Sequence, residues 1–421
     1  MLIEFRVKNF NSFKDEQVFS LVGDTEPSLS DNYFEIGEYK LLKSAAIYGA
    51  NASGKTNLVK AFAFFIGLIK TSFSPEPGKK INLTPFLLDE EASNSSSTFE
   101  ASFLIDNTRY QYGFTLTKER ILEEWLYAFP HKRSQEWFNR KYDASKGCYI
   151  WKKGTHLKGE KGEIDSLFAK TIETALFLSV AAQWNNTQLS NIYNWFSEKC
   201  ETLLYEDNIS PFTAKLLESN DEVSRHIKEI ILSILRNADL GIKDIKVDRR
   251  DLSKDVKFAL DVPEEVKHNI LENLSLTVSF LHRGANTKKL HKFPMKLESA
   301  GTKRLFDLVG PLLDTVSNNK VAFIDEIETS LHPLLTVAIF QFLHQNSNGG
   351  QIVFTTHDTT LLNTDIFRRD QIWFTEKDEM GASKLYPLTD YKPRKEEAIQ
   401  KGYLAGRYGA IPILKEFGVN E

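Results

Sequence analysis

Residues 49–56 read Gly-Ala-Asn-Ala-Ser-Gly-Lys-Thr. A glycine, four residues and then Gly-Lys-Thr is the spacing of a phosphate-binding loop. Such a turn wraps phosphate oxygens with backbone N–H groups, and a Cβ at Gly49 or Gly54 would obstruct it. The expected cradle is Gly49, Asn51, Ala52, Ser53, Gly54, Lys55, Thr56 and Asn57. Lys55 has the reach for β and γ phosphates, and the Thr56 hydroxyl is a Mg²⁺ ligand. The flanks fit. Ser44 to Tyr48 is a short apolar strand candidate, and Leu58 to Phe65 is apolar enough for a buried helix whose N-terminus faces the anion.

A second group of residues completes the chemistry. Phe323-Ile324-Asp325-Glu326 is an apolar strand ending in two carboxylates. That places them at the C-terminal edge of an open α/β sheet, where ligands bind. Asp325 is the candidate Mg²⁺ ligand, and Glu326 the candidate that orients or deprotonates water. Ser330-Leu331-His332-Pro333 follows, and Phe354-Thr355-Thr356-His357-Asp358 closes the next strand. His357 at that strand's end suits a γ-phosphate sensor. Upstream, Glu298-Ser299-Ala300-Gly301-Thr302 precedes an apolar helical run. Ser299 and Gly301 could cradle an anion there, or Ser299 could be a plain N-cap.

The order of the other segments predicts an α/β fold. Val321–Glu326 and Gln351–Thr356 read as buried strands joined by a helix over 333–345, a parallel βαβ unit that the P-loop strand joins. Phe99 to Leu116 reads as antiparallel strands around Asp106-Asn107, Trp137 to Trp151 as a further hairpin, and Glu90 to Thr98 as a surface loop. The expected divisions are an N-terminal part of the head over 1–184, a helical insertion over 185–285 and a C-terminal part over 286–421. Within the insertion, Val223, Ile227, Ile230, Ile231 and Ile234 make one helical stripe.

Composition narrows the setting. The net charge of −4 gives no global drive towards nucleic acid. Two local basic stretches remain, Arg283, Lys288, Lys289, His291, Lys292 and Lys296, and Lys392, Arg394, Lys395, Lys401 and Arg407. Cys148 and Cys200 are the only cysteines, which argues against a disulfide framework. Leu58 to Ile69, the longest apolar stretch, is too short to span a bilayer, and the N-terminus lacks a signal-peptide pattern. The expected location is cytoplasmic, with no membrane partner.

The order P-loop, Ser-x-Gly, strand-Asp-Glu, Ser-Leu-His-Pro and Thr-His-Asp resembles the Walker A, signature, Walker B, D-loop and switch histidine of ABC-type ATPases. The opening Phe5-Arg-Val-Lys-Asn-Phe-Asn-Ser-Phe13 is similar to the SMC/RecF/OLD subgroup. Ala46 to Asn57, Phe323 to Pro333, and the tail from Asp390 through Lys401-Gly-Tyr-Leu-Ala-Gly-Arg-Tyr-Gly-Ala-Ile-Pro resemble OLD-like ATPases of phage defence of the RloA/AbiLi type, related to the ATPase subunit of PARIS systems. The resemblance implies a P-loop ATPase head with a mixed sheet, an antiparallel β subdomain and a short helical insertion. It implies ATP and Mg²⁺ as cofactors. It also implies a homodimer or higher homo-oligomer with ATP sandwiched between heads, Ser299 and Gly301 completing the site of the opposite head. Two departures stand out. The signature reads Ser-Ala-Gly-Thr rather than Ser-Gly-Gly-Gln, and no glutamine is an unambiguous Q-loop residue; Gln183 is the candidate and Gln111 its rival. The stretch after the last expected strand is too short for the Toprim nuclease of OLD proteins. Effector chemistry is therefore expected on a separate Toprim-like or RloB-like chain. The alternative is a RecF/SMC-like ATPase that clamps DNA. A small-molecule kinase is disfavoured, because Glu326 and His357 suit attack by water.

Overall fold

The computed structural model describes residues 1–73, 78, 80–204, 210–218, 222–238, 241–251, 264–284, 289–392 and 397–412. Of the residues singled out above, Lys288, Arg394 and Lys395 lie outside them, as does the side chain of Val223. The chain divides into two compact units, one of Met1–Tyr205, Thr315–Ile327 and Phe340–Glu421, the other of Glu206–Asp314 and Glu328–Ile339.

The first unit is built on a six-stranded sheet. Its strands are β1 (Ser44–Gly49), β2 (Cys200–Leu203), β3 (Val321–Ile324), β4 (Gln351–Thr355), β5 (Ile372–Lys377) and β6 (Ser383–Pro387), in the order β2-β3-β4-β1-β5-β6. All neighbours are parallel except β5 and β6. Strands β1, β3 and β4 are buried throughout, as expected of parallel strands covered on both faces. The β3–β4 crossover is the helix Pro333–Asn346.

One face is covered by α1 (Lys55–Thr71), which buries Leu58, Val59, Phe62, Phe65, Ile66 and Ile69 at helical spacing. Phe62 stacks on Phe323 of β3 with centroids 4.0 Å apart, and Phe5 meets Phe62 edge-on at 5.2 Å. Phe5 belongs to a second sheet, seven-stranded and antiparallel. Its order is Cys148–Lys153, Gln135–Asp143, Ile121–Phe129, Thr108–Leu116, Ser97–Ile105, Leu2–Lys8 and Gln17–Ser20. The N-terminal strand thus joins the hairpins expected over 99–151. The opposite face of the six-stranded sheet is covered by Phe340, stacked on Phe354 at 4.2 Å, and by Tyr403 of α2 (Ile399–Leu404), stacked on Phe374 at 5.5 Å.

A buried ion pair ties the seven-stranded sheet to a helix. Arg140 and Glu124 are both fully buried, with Nε and Oε2 3.7 Å apart. Glu124 also accepts from the Tyr112 hydroxyl and from the backbone N–H groups of Phe177 and Leu178. Its carboxylate therefore serves the otherwise unpaired N-terminus of the helix Phe177–Gln183.

Two expectations need correction. The polar run at 90–98 is not all loop. Asp89 accepts from Ala92 N and starts a single helical turn, Glu90–Ser93, and the strand Ser97–Ile105 follows. The insertion expected over 185–285 starts later and is mixed. The helix Thr187–Lys199 belongs to the first unit because it buries Leu189, Ile192, Trp195 and Phe196, with Trp195 stacked on Phe103 at 4.3 Å. The second unit contains an antiparallel sheet of Ile242–Arg249, Leu276–Arg283 and Leu290–Pro294 beside helices such as Ser210–Glu218 and Glu222–Asn237. In the latter helix Ile231, Leu232 and Leu235 are fully buried, while Ile227, Ile230 and Ile234 are half-buried, so the inward face is rotated from the expected stripe.

Under the six-stranded sheet, His344 is buried, with Nε2 2.7 Å from Ser44 Oγ. Burial, reinforced by the Lys43 ammonium, pushes its imidazole down to about 3. The unfolded chain protonates this ring near its ordinary value of about 6.5, and the folded chain does not. The stability it contributes is complete above that value and is lost as pH falls from there towards 3. Between pH 7 and pH 5 the wild type should lose on the order of 2 kcal/mol that His344→Gln does not lose. Denaturant unfolding of both proteins at the two pH values measures the difference.

Candidate functional site

The P-loop joins the end of β1 to the start of α1, and its shape is fixed by contacts the local sequence does not contain. A Cβ on Gly49 would lie 2.5 Å from the carbonyl oxygen of Thr375 and 2.4 Å from Ser53 Oγ. Gly54 has φ +115°, and a Cβ there would meet Ser383 Oγ at 2.4 Å. A chain of hydroxyls therefore braces the loop. Ser53 Oγ is 2.7 Å from Thr375 Oγ1, Ser383 Oγ donates to Ser53 O at 2.6 Å, and Ser12 Oγ is 2.7 Å from Ser383 Oγ and accepts from Asn57 Nδ2 at 2.6 Å. Sequence reasoning missed Thr375 and Ser383. Ser12 lay inside the quoted N-terminal motif, without a role.

Lys55 is buried, and its Nζ donates to the carbonyls of Gly49 and Ala50 at 2.9 and 3.2 Å. Asn51 and Ala52 are exposed at the tip of the loop, with Ala52 at φ +62°. The next residue, Thr56, donates from Oγ1 to Asp325 Oδ1 at 3.1 Å. Thr355, at the end of β4, donates to the same Oδ1 at 2.7 Å. Its hydroxyl in turn accepts from Glu326 N at 2.8 Å. Thr355 was read only as part of a strand, yet it joins the two carboxylate residues to β4. Glu326 is held at φ +46°, the left-handed region, so the backbone turns sharply right after Asp325.

The electrostatics follow from this packing. Burial raises the Asp325 carboxyl above the usual carboxylate range, and the Thr355 and Thr56 hydroxyls oppose that shift. Partial burial, and then the Lys55 ammonium, hold the His357 imidazole below its ordinary value, with Glu326 and Asp325 pulling the other way. Lys55, Asp325, Glu326 and His357 thus act on one another at the C-terminal edge of the sheet, as the sequence implied.

The residues suit a Mg²⁺ bound together with a nucleotide. Thr56 and Asp325 present hard oxygen ligands a hydrogen bond apart, and a cation would relieve the cost of burying the Asp325 charge. Among the described residues no cluster of three or more His, Cys, Asp or Glu could hold a metal alone. That fits an ion that takes its remaining ligands from phosphates and water.

Ser299 and Gly301 belong to the second unit. Ser299 Oγ accepts from Thr302 N at 3.0 Å, the N-cap of the helix Ala300–Ser317. A Cβ on Gly301 would lie 2.8 Å from the carbonyl oxygen of Ser330, so the Ser-x-Gly and Ser-Leu-His-Pro segments pack on each other.

Gln183 is not brought to the P-loop. It is exposed at the end of the helix Phe177–Gln183, whose Ser179 donates to the carbonyl of Ile69 at the far end of α1. At about 1.5 Å rise per residue, that is roughly 20 Å from Lys55. Its rival Gln111 is paired into the middle of the antiparallel sheet, opposite Ser102 and Tyr127. The two basic stretches are partly neutralised, since Lys292 pairs with Asp248 at 2.6 Å and Arg407 pairs with Glu397. Among the described residues no helix is long and apolar enough to cross a membrane.

Residues 44–363 match the family described as "AAA domain, putative AbiEii toxin, Type IV TA system". The chain belongs to that family. No curated protein matches the sequence. Solved structures similar to it include the SMC head domain from Thermotoga maritima, at 13% identity over 92% of this chain and 98% of that one, with a TM-score of 0.41. An SMC head bound to the C-winged helix domain of ScpA is 14% identical over 93% and 99% of the two chains, at 0.44. An SMC head with an extended coiled coil, bound to the C-terminal domain of ScpA derived from Pyrococcus furiosus, is 13% identical over 93% and 97%, at 0.39. Likeness at this level says nothing about what this chain binds.

Gly49→Ala forces its Cβ into the backbone of β5, where no side chain can yield. It should weaken ATP binding at least about tenfold, a cost of roughly 1.4 kcal/mol, in calorimetric titration against the wild type.

Proposed function

We propose that this AAA-domain chain binds and hydrolyses ATP, and that ATP closes two copies of it into a dimer. We further propose that the dimer serves as sensor and scaffold for a separate effector protein in a bacterial anti-phage system. The observation that carries the reading is the shared Asp325 oxygen, which joins the P-loop residue Thr56 to Thr355 and, through Thr355, to Glu326. This arrangement makes phosphate binding and the hydrolytic carboxylate one structural unit.

The residue roles follow. The loop N–H groups and Lys55 hold the β and γ phosphates. Thr56 and Asp325 hold Mg²⁺, which neutralises phosphate charge when bound. Glu326 orients the attacking water and takes its proton, and His357 reports the γ-phosphate. Ser299 and the helix N-terminus after it complete the phosphate cage of a second copy. The toxin–antitoxin description of the family and the resemblance to OLD-like defence ATPases support the biological setting, an inference by analogy. Among the described residues of the two basic stretches, Lys292 and Arg407 are already paired with carboxylates, which weighs against the DNA-clamping alternative.

Glu326→Gln should keep ATP affinity while lowering phosphate release about a hundredfold or more. With hydrolysis blocked, its mass in solution should double when ATP and Mg²⁺ are added. Undiminished phosphate release would remove Glu326 from the mechanism. An unchanged mass would remove the dimer.

A further inference from the structure

The P-loop strand carries an aromatic residue that the mechanism above does not use. Tyr48 immediately precedes Gly49 and is fully buried. Its hydroxyl donates to the backbone carbonyl of Asp358 at 3.0 Å, one residue beyond His357. The ring sits against Tyr403 of α2, with centroids 5.7 Å apart and the planes 61° from parallel, and against Phe374 of β5 at 6.4 Å. Tyr403 is itself fixed, stacked on Phe374 and donating its hydroxyl to Ala410 O at 3.1 Å. One residue pair further, Gln400 of α2 donates to Thr359 Oγ1 at 3.2 Å.

The turn that carries His357 is therefore tied at three points. Thr356 N donates to Ile47 O at 3.1 Å, the Asp358 carbonyl accepts from Tyr48, and the Thr359 hydroxyl accepts from Gln400. Two of the ties end on residues 47 and 48 of the P-loop strand. The third ends on α2, which also supports the Tyr48 ring. His357 lies two residues past the end of β4, and these ties hold the backbone of its turn relative to the loop.

We propose that Tyr48 is a positioning residue for ATP hydrolysis. Its hydroxyl holds the His357 turn in register with the P-loop, and α2 is the platform that holds Tyr48. The proposal rests on the ATPase reading above. It assigns a role to the C-terminal segment, which the sequence singled out by a basic stretch and by resemblance. Tyr48 is fully buried and its hydroxyl is committed to the Asp358 carbonyl, so its loss should act on turnover and not on binding.

Tyr48→Phe keeps the ring and removes only the hydroxyl. The full-length variant should bind ATP within about twofold of wild type and show kcat lowered about fivefold or more, the size expected for one net hydrogen bond. In histidine-labelled, nucleotide-free protein, the His357 ring resonances, assigned with His357→Gln, should shift or broaden. Gln400→Ala cuts the second tether from the surface and should move both readouts the same way. Thermal unfolding of each variant checks that the fold persists. If the resonances stay at wild-type positions, or kcat is unchanged while they move, Tyr48 does not position His357 for hydrolysis and the proposal falls. Wild-type protein that releases no phosphate above the protein-free background overturns the ATPase reading, and this proposal with it. Normal wild-type turnover with an unaffected Tyr48→Phe overturns this proposal alone.

Discussion

One carboxylate oxygen organises the site. Asp325 Oδ1 accepts from Thr56 on the P-loop and from Thr355 at the end of β4, so three segments far apart in sequence converge on one atom. The carboxylate is almost fully buried, and burial raises it above the usual carboxylate range. The two hydroxyls offset part of that shift. A divalent cation with phosphate oxygens would offset more of it.

The rest of the first unit serves to keep that convergence rigid. Phe62 and Phe323 lock α1 to β3, and the antiparallel sheet presses Phe5 onto the same pair. Behind the sheet, Phe340 and Tyr403 cover β4 and β5. A parallel sheet packed on both faces leaves its C-terminal edge as the open side, and the P-loop, Asp325, Glu326 and His357 lie there, while Gln183 and Gln111 do not. Bracing of the P-loop by hydroxyls from positions 12, 53, 375 and 383 belongs to the same design. Small polar side chains close the last gaps around a loop too tightly packed for anything larger.

How much of this was legible depended on whether spacing along the chain carried the constraint. The P-loop, the Asp-Glu strand end and His357 were legible because each sits at a fixed offset from the apolar strand that positions it. Ser299 was legible with both of its readings, and the structure shows the N-cap directly. Gln183 was misplaced because its choice rested on a short motif with no strand or turn to anchor it, and its helix packs at the wrong end of α1. The insertion was misjudged for a related reason. The amphipathic period of Thr187–Lys199 says that one face is buried, but not against which partner, and the partner proved to be the core of the first unit.

The sequence alone therefore determined where the candidate groups lie, namely a P-loop, two carboxylates and a histidine, each at the end of a buried strand. It could do so because the backbone conformations involved need particular residues at particular short offsets. Only the tertiary structure decided which groups share an atom, which hydroxyls brace the loop, and that Tyr48 reaches across to the carbonyl beside His357. Those contacts join residues tens to hundreds of positions apart. A hydroxyl or a buried tyrosine has no spacing signature of its own, so its partner is fixed by packing and not by pattern.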